Sequence, residues 1–95
     1  MKGYIVCVYK SIKNEKALKD YAVIAKEAVE QYNGKFLVRG GNKLTTEGEE
    51  WVRTTIIEFP SFQEAKNFYY SNEYKKAHTI LEGTVTRHHH IIEGF

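Results

Sequence analysis

The sequence predicts an α+β chain built on a four-stranded antiparallel sheet with its helices on one face. Three observations carry that expectation. The apolar pattern switches between a strand period and a helix period in the order strand, helix, strand, strand, helix, strand. The glycines and the single proline fall at the switches. The 95 residues leave room for one domain, residues 1–95, with no repeat, linker or low-complexity tract. Two split β-α-β units in this order make a ferredoxin-like βαββαβ arrangement.

Each element has its own signal. Residues 3–10 are β-branched and aromatic without a breaker, which reads as a strand. Ala17, Leu18, Tyr21, Ala25, Ala28 and Val29 then recur at three- and four-residue steps, the apolar stripe of a helix of roughly five turns. Asn14 is its expected N-cap and Gly34 its expected stop. Lys35 to Gly41 reads as a second strand centred on Phe36-Leu37-Val38, weakened or bulged by Gly40-Gly41. Asn42 to Glu50 is polar, with a turn near Glu47-Gly48. Trp51 to Phe59 is the third strand, and Pro60, which has no N–H for the ladder, ends it. Ser61 to Glu64 has the pattern of a capping box. Ser71 can cap a further helical stretch with Tyr74, Ala77, Ile80 and Leu81 inward, and Gly83 ends it. Val85 to Glu93 is the last strand.

Composition narrows the function. Apolar residues make 42% and charged residues 27%, an ordinary globular balance. The net charge of +2 gives no field strong enough to hold a polyanion. The third strand also lacks the basic-Gly-aromatic motif of RNA-recognition domains, so nucleic acid is not an expected partner. Cys7 is the only cysteine, so no internal disulfide can form, and a free thiol on an inner strand suits a cytoplasmic location. No apolar run approaches the ~20 residues of a membrane span, and no signal-peptide pattern opens the chain. There is no phosphate-binding glycine loop, no Cys-x-x-Cys and no His-Glu-x-x-His, so no cofactor is expected. Helices on one sheet face leave the other open, with Tyr4 or Ile5, Leu37 or Val38, Ile56 or Ile57, and Ile91 or Ile92 upon it. An apolar patch of that size marks a binding surface, and a homodimer through the two sheets is the expected cover.

Several segments resemble the domain-of-unknown-function 1330 family. They are Gly3-Tyr4, Phe36 to Gly41, Glu58-Phe59-Pro60-Ser61, Tyr70 to Tyr74 and Ile92-Glu93-Gly94, in the family's order and spacing. The resemblance implies membership of the dimeric α/β-barrel superfamily, hence a homodimer of ferredoxin-like protomers. It brings no substrate, since the family carries none. Two departures stand out: Leu81 occupies a position where the family often has Arg, and His88-His89-His90 replace mainly apolar strand residues.

The residues that can carry chemistry are few. All three arginines, Arg39, Arg53 and Arg87, lie on expected strands. Arg39 is the sharpest ligand candidate, because Gly40 and Gly41 behind it permit close approach and a guanidinium grips a carboxylate in two places. The competing reading pairs Arg39 with Glu58 on the neighbouring strand. Glu58 is also the candidate general base. Tyr74 and Tyr4 are candidates for a pocket wall, and Cys7 reads as a small packed hydrophobe. His88 and His90 share one strand face about 7 Å apart, a weak candidate metal pair with no third ligand nearby, so no bound metal is expected. The expected function is binding of a small organic molecule, acidic or not, between sheet and helices, with or without catalysis. The alternative is a non-catalytic dimeric interaction module.

Overall fold

A computed structural model describes residues 1–95. The elements are β1 (Gly3–Ile12), α1 (Glu15–Gln31), β2 (Lys35–Arg39), β3 (Arg53–Phe59), α2 (Phe62–Tyr69), α3 (Asn72–Leu81) and β4 (Val85–Glu93). One four-stranded antiparallel sheet has the order β2-β3-β1-β4, the ferredoxin-like topology the sequence predicted. The second helical region is two helices, because Ser71 interrupts it. Its hydroxyl donates to the Phe68 carbonyl at 2.6 Å and accepts from the Tyr74 amide at 3.1 Å, ending one helix and capping the next. The second and third strands are shorter than expected, Gly40 to Val52 standing outside both.

Helix caps explain the other boundaries. Asn14 accepts from the Ala17 amide at 3.0 Å, and Ser61 accepts from the Glu64 amide at 3.0 Å. The stop of α1 differs from expectation. Asn33, not Gly34, takes the left-handed conformation at φ 62, and the Gly34 amide closes the turn on the Val29 carbonyl at 2.8 Å. Gly34 is needed for space instead: a Cβ there would lie 2.7 Å from both Phe59 and Val29 side chains.

The core lies between sheet and helices. Ile5, Ile57 and Phe59 rise from the sheet to meet Ala25, Ala28 and Val29 of α1 and Phe68 and Tyr74 of α2 and α3. Burying Phe59 or Phe68 contributes about 2–3 kcal/mol each by area. The odd-numbered β1 residues face this core, a parity the sequence alone does not decide. Tyr4, Val6, Val8, Ile56, Val38 and Ile92 are therefore on the open face. No helix is long and apolar enough to cross a membrane.

Candidate functional site

Strand register assembles the arginines. Arg53 of β3 and Arg87 of β4 both pair with Tyr9 of β1, so the three form one row across the sheet. The next row runs Arg39, Thr55, Cys7, His89. Both rows face α1, and all three arginines line one cavity of about 40 Å³ whose roof includes Tyr21, Ala22 and Ala25. That volume holds about three water-sized groups, which suits a carboxylate head but not a whole organic molecule.

Arg87 is the best-held of the three. It donates from Nη1 to the Tyr9 hydroxyl at 3.0 Å and to Cys7 Sγ at 3.4 Å, and from Nη2 to the Tyr74 hydroxyl at 3.0 Å. The Tyr74 and Tyr21 hydroxyls are 2.9 Å apart. The guanidinium also sits over the Tyr9 ring at 5.4 Å and the Tyr21 ring at 5.6 Å. Arg53 lies against Gly40, where a Cβ would come within 2.6 Å of its Nη1. Arg39 lies over the Phe36 ring at 4.6 Å and donates to the Ala22 carbonyl at 3.4 Å.

No carboxylate answers these three cations. The cavity wall contains no Asp or Glu, and none of the molecule's ion pairs involves an arginine. The other titratable walls are neutral at ordinary pH. Burial pushes the Tyr9 and Tyr74 hydroxyls upward, and it raises the Cys7 thiol despite the Arg87 charge beside it. Burial, then the charges of Arg87 and His78, depress the His89 imidazole to about 3. For Arg87 itself burial opposes the charge, but attraction to the ionised forms of Tyr74, Tyr21, Cys7 and Tyr9 outweighs it and the pKa is raised. The cavity is thus positively charged and otherwise neutral.

The residues singled out from sequence divide between the two sheet faces. Arg39 and Tyr74 are on the cavity wall, and Gly40 touches it through Arg53. Gly41 stands apart: a Cβ placed on it would have nothing within 4 Å. Tyr4 and Glu58 are on the opposite, open face: the Tyr4 hydroxyl donates to Glu58 at 3.2 Å, and Lys2 is 3.6 Å from the same carboxylate. This corrects two readings. Tyr4 is not a wall of the cavity between sheet and helices, and Glu58 is not the partner of Arg39, because its even position turns it to the far face. As a general base Glu58 would have to act on that open face. His88 and His90 are also on the open face, ring centres 6.3 Å apart, with the Trp51 ring edge on His88. No group of three or more potential ligands gathers around them. Sequence reasoning misses Arg53, Arg87 and His89 as members of this cavity. Their common parity is a readable signal, but it becomes a cluster only through register.

The whole chain also has relatives. Residues 2–95 match the family described as "Domain of unknown function (DUF1330)". The chain belongs to that family. No curated protein matches it. Among solved structures, this DUF1330 chain is similar to a protein of unknown function from Rhodopseudomonas palustris, at 16% identity and TM-score 0.79, with 99% of this chain and 82% of that one covered. A dimeric ferredoxin-like protein of unknown function from Jannaschia sp. aligns at 12% identity and TM-score 0.74, covering 99% and 100%. A candidate antibiotic biosynthesis monooxygenase from Caulobacter crescentus aligns at 14% identity and TM-score 0.66, covering 99% and 89%. At these identities the likeness is one of fold.

Proposed function

We propose that this DUF1330 protein is a homodimer that binds a small organic acid, its carboxylate seated at Arg87 between sheet and α1. The observation that carries the reading is the convergence of all three arginines on one cavity without a single carboxylate in its wall. Keeping a cation half-buried and unpaired costs free energy, and such sites cluster where a ligand supplies the missing charge. The guanidinium is fixed before the ligand arrives, by two tyrosine hydroxyls and two tyrosine rings, so little ordering remains to oppose binding.

The homodimer is supported by the open sheet face, where Val6, Val8 and Ile56 stand at the centre and Ile92 is 51% exposed. The Jannaschia sp. relative of the same fold is itself dimeric. The test of the acid site is calorimetric titration with acetate at pH 7. Saturable binding is expected, and Arg87→Met should lose at least about 10-fold in affinity, the worth of one charge-assisted contact. Wild-type protein that shows no binding, or equal binding by Arg87→Met, would overturn the reading.

A further inference from the structure

The 40 Å³ cavity has room for an acid's head and nowhere to put its body. The body's place is visible on the outer side of Arg87. A second cavity, a groove of about 490 Å³, runs along the β4 edge beneath the end of α3, a volume in the range of ordinary ligand sites. Arg87 and His89 line both spaces. They are the residues the two spaces share, so a carboxylate held at Arg87 lies next to the groove.

The groove's wall says what kind of body it takes. Tyr69, His78 and His89 line it. Their rings are in contact: Tyr69 lies 5.1 Å from His89 and 6.4 Å from His78, centre to centre. Tyr74 backs the same cluster, 5.9 Å from His78. Such a wall favours a flat ring, which stacks edge or face against its members. Glu82 and His88 also line it, beside Leu81 and Val85. A ring carrying a hydrogen-bonding group besides its carboxylate suits a wall that combines a cation, aromatic rings and these two polar side chains.

We infer that the groove along β4 holds the body of an aromatic hydroxy acid whose carboxylate reaches Arg87. The inference rests on the acid site proposed above and adds the class of acid. His89 stands between head and body, flanked by Arg87 and Cys7 from the sheet, by Tyr74 and His78 from α3 and by Tyr69 from α2. Its ring packs against those of Tyr69, at 5.1 Å, and Tyr74, at 6.5 Å.

The experiment titrates acetate, cyclohexanecarboxylate and 4-hydroxybenzoate into wild-type protein, His78→Ala and His78→Trp. In the wild type 4-hydroxybenzoate should bind about 10-fold more tightly than acetate, with the saturated acid between them, and should compete with acetate. His78→Ala removes one wall and His78→Trp fills the groove. Each should take away most of that advantage and leave acetate affinity unchanged. If acetate binds through Arg87 but 4-hydroxybenzoate is no tighter, or its advantage survives both substitutions, the groove is not the ligand's seat and the acid site stands alone. If neither acid binds the wild type, or Arg87→Met binds both as well as the wild type does, the acid site itself is wrong and the groove inference falls with it.

Discussion

Arg87 donates to the Tyr74 hydroxyl at 3.0 Å, and no carboxylate lies within ion-pair distance of that guanidinium. The partners of Arg87 are all neutral, so they orient the cation without discharging it. Tyr74 is itself held by α3, whose cap at Ser71 starts three residues earlier, and by the rings of Phe68 at 4.7 Å and Tyr21 at 6.1 Å. The position of the charge is therefore fixed by the core, and its balance is left to something from outside.

That arrangement separates stability from binding. An arginine kept for structure should be costly to remove, while one kept for a ligand should not be. Arg87→Met replaces a desolvated, uncompensated charge with an apolar chain of similar length. The unfolding free energy is expected to stay within about 1 kcal/mol of the wild type in urea melts. A loss above about 3 kcal/mol would assign Arg87 to the fold instead.

Gly40 and Gly41 offer an internally controlled comparison. Both have positive φ, 74 and 94, so alanine at either meets a similar backbone penalty, of order 1 kcal/mol. Only at Gly40 does the new Cβ meet Arg53, 2.6 Å from Nη1. Gly40→Ala should displace that guanidinium and weaken acetate binding several-fold beyond Gly41→Ala, at comparable melting temperature. Equal affinities in the two variants would remove Arg53 from the acid site.

Strand and helix periods, caps and breakers were legible because they are local. Asn14, Ser61 and Ser71 cap where the sequence placed them. Parity was not legible, since β1 alternates Ile5, Cys7 and Tyr9 with Tyr4, Val6 and Val8, apolar on both sides. What decides it is tertiary: on the odd side, Gly3 admits the Ser61–Phe62 backbone, which a Cβ would approach to 2.5 Å. Arg39 was found through its glycines, but the meeting of Arg39, Arg53 and Arg87 depends on register between strands far apart in sequence. The same register moved Tyr4 and Glu58 to the other face.

The open face makes a separate prediction. Val6 sits at its centre, paired with Ile56 on one side and His90 on the other. Val6→Lys puts a charge in the middle of the surface proposed to join two copies. Wild-type protein should sediment at twice 11.0 kDa, and the variant at 11.0 kDa with its circular dichroism intact. A wild-type monomer, or a variant that still dimerises, would show that this face is not the interface.

The last prediction concerns pH. His89 is held neutral in the folded chain, its pKa lowered to about 3 by burial first and then by the charges of Arg87 and His78. In the unfolded chain an imidazole titrates near 6.5. Between those values the unfolded state binds one more proton than the folded state at this residue. Stability then rises with pH through that window, so acidification from about pH 6.5 towards 3 should destabilise the protein by up to about 1.4 kcal/mol per pH unit from this group. Carboxylates add their own slope, so the measurement is a difference. Urea unfolding at pH 4, 5, 6 and 7 should give a steeper fall for the wild type than for His89→Gln, by about one proton's worth between pH 4 and 6. Parallel curves would mean that the folded imidazole protonates as freely as the unfolded one, and that the wall beside Arg87 is not a neutral surface.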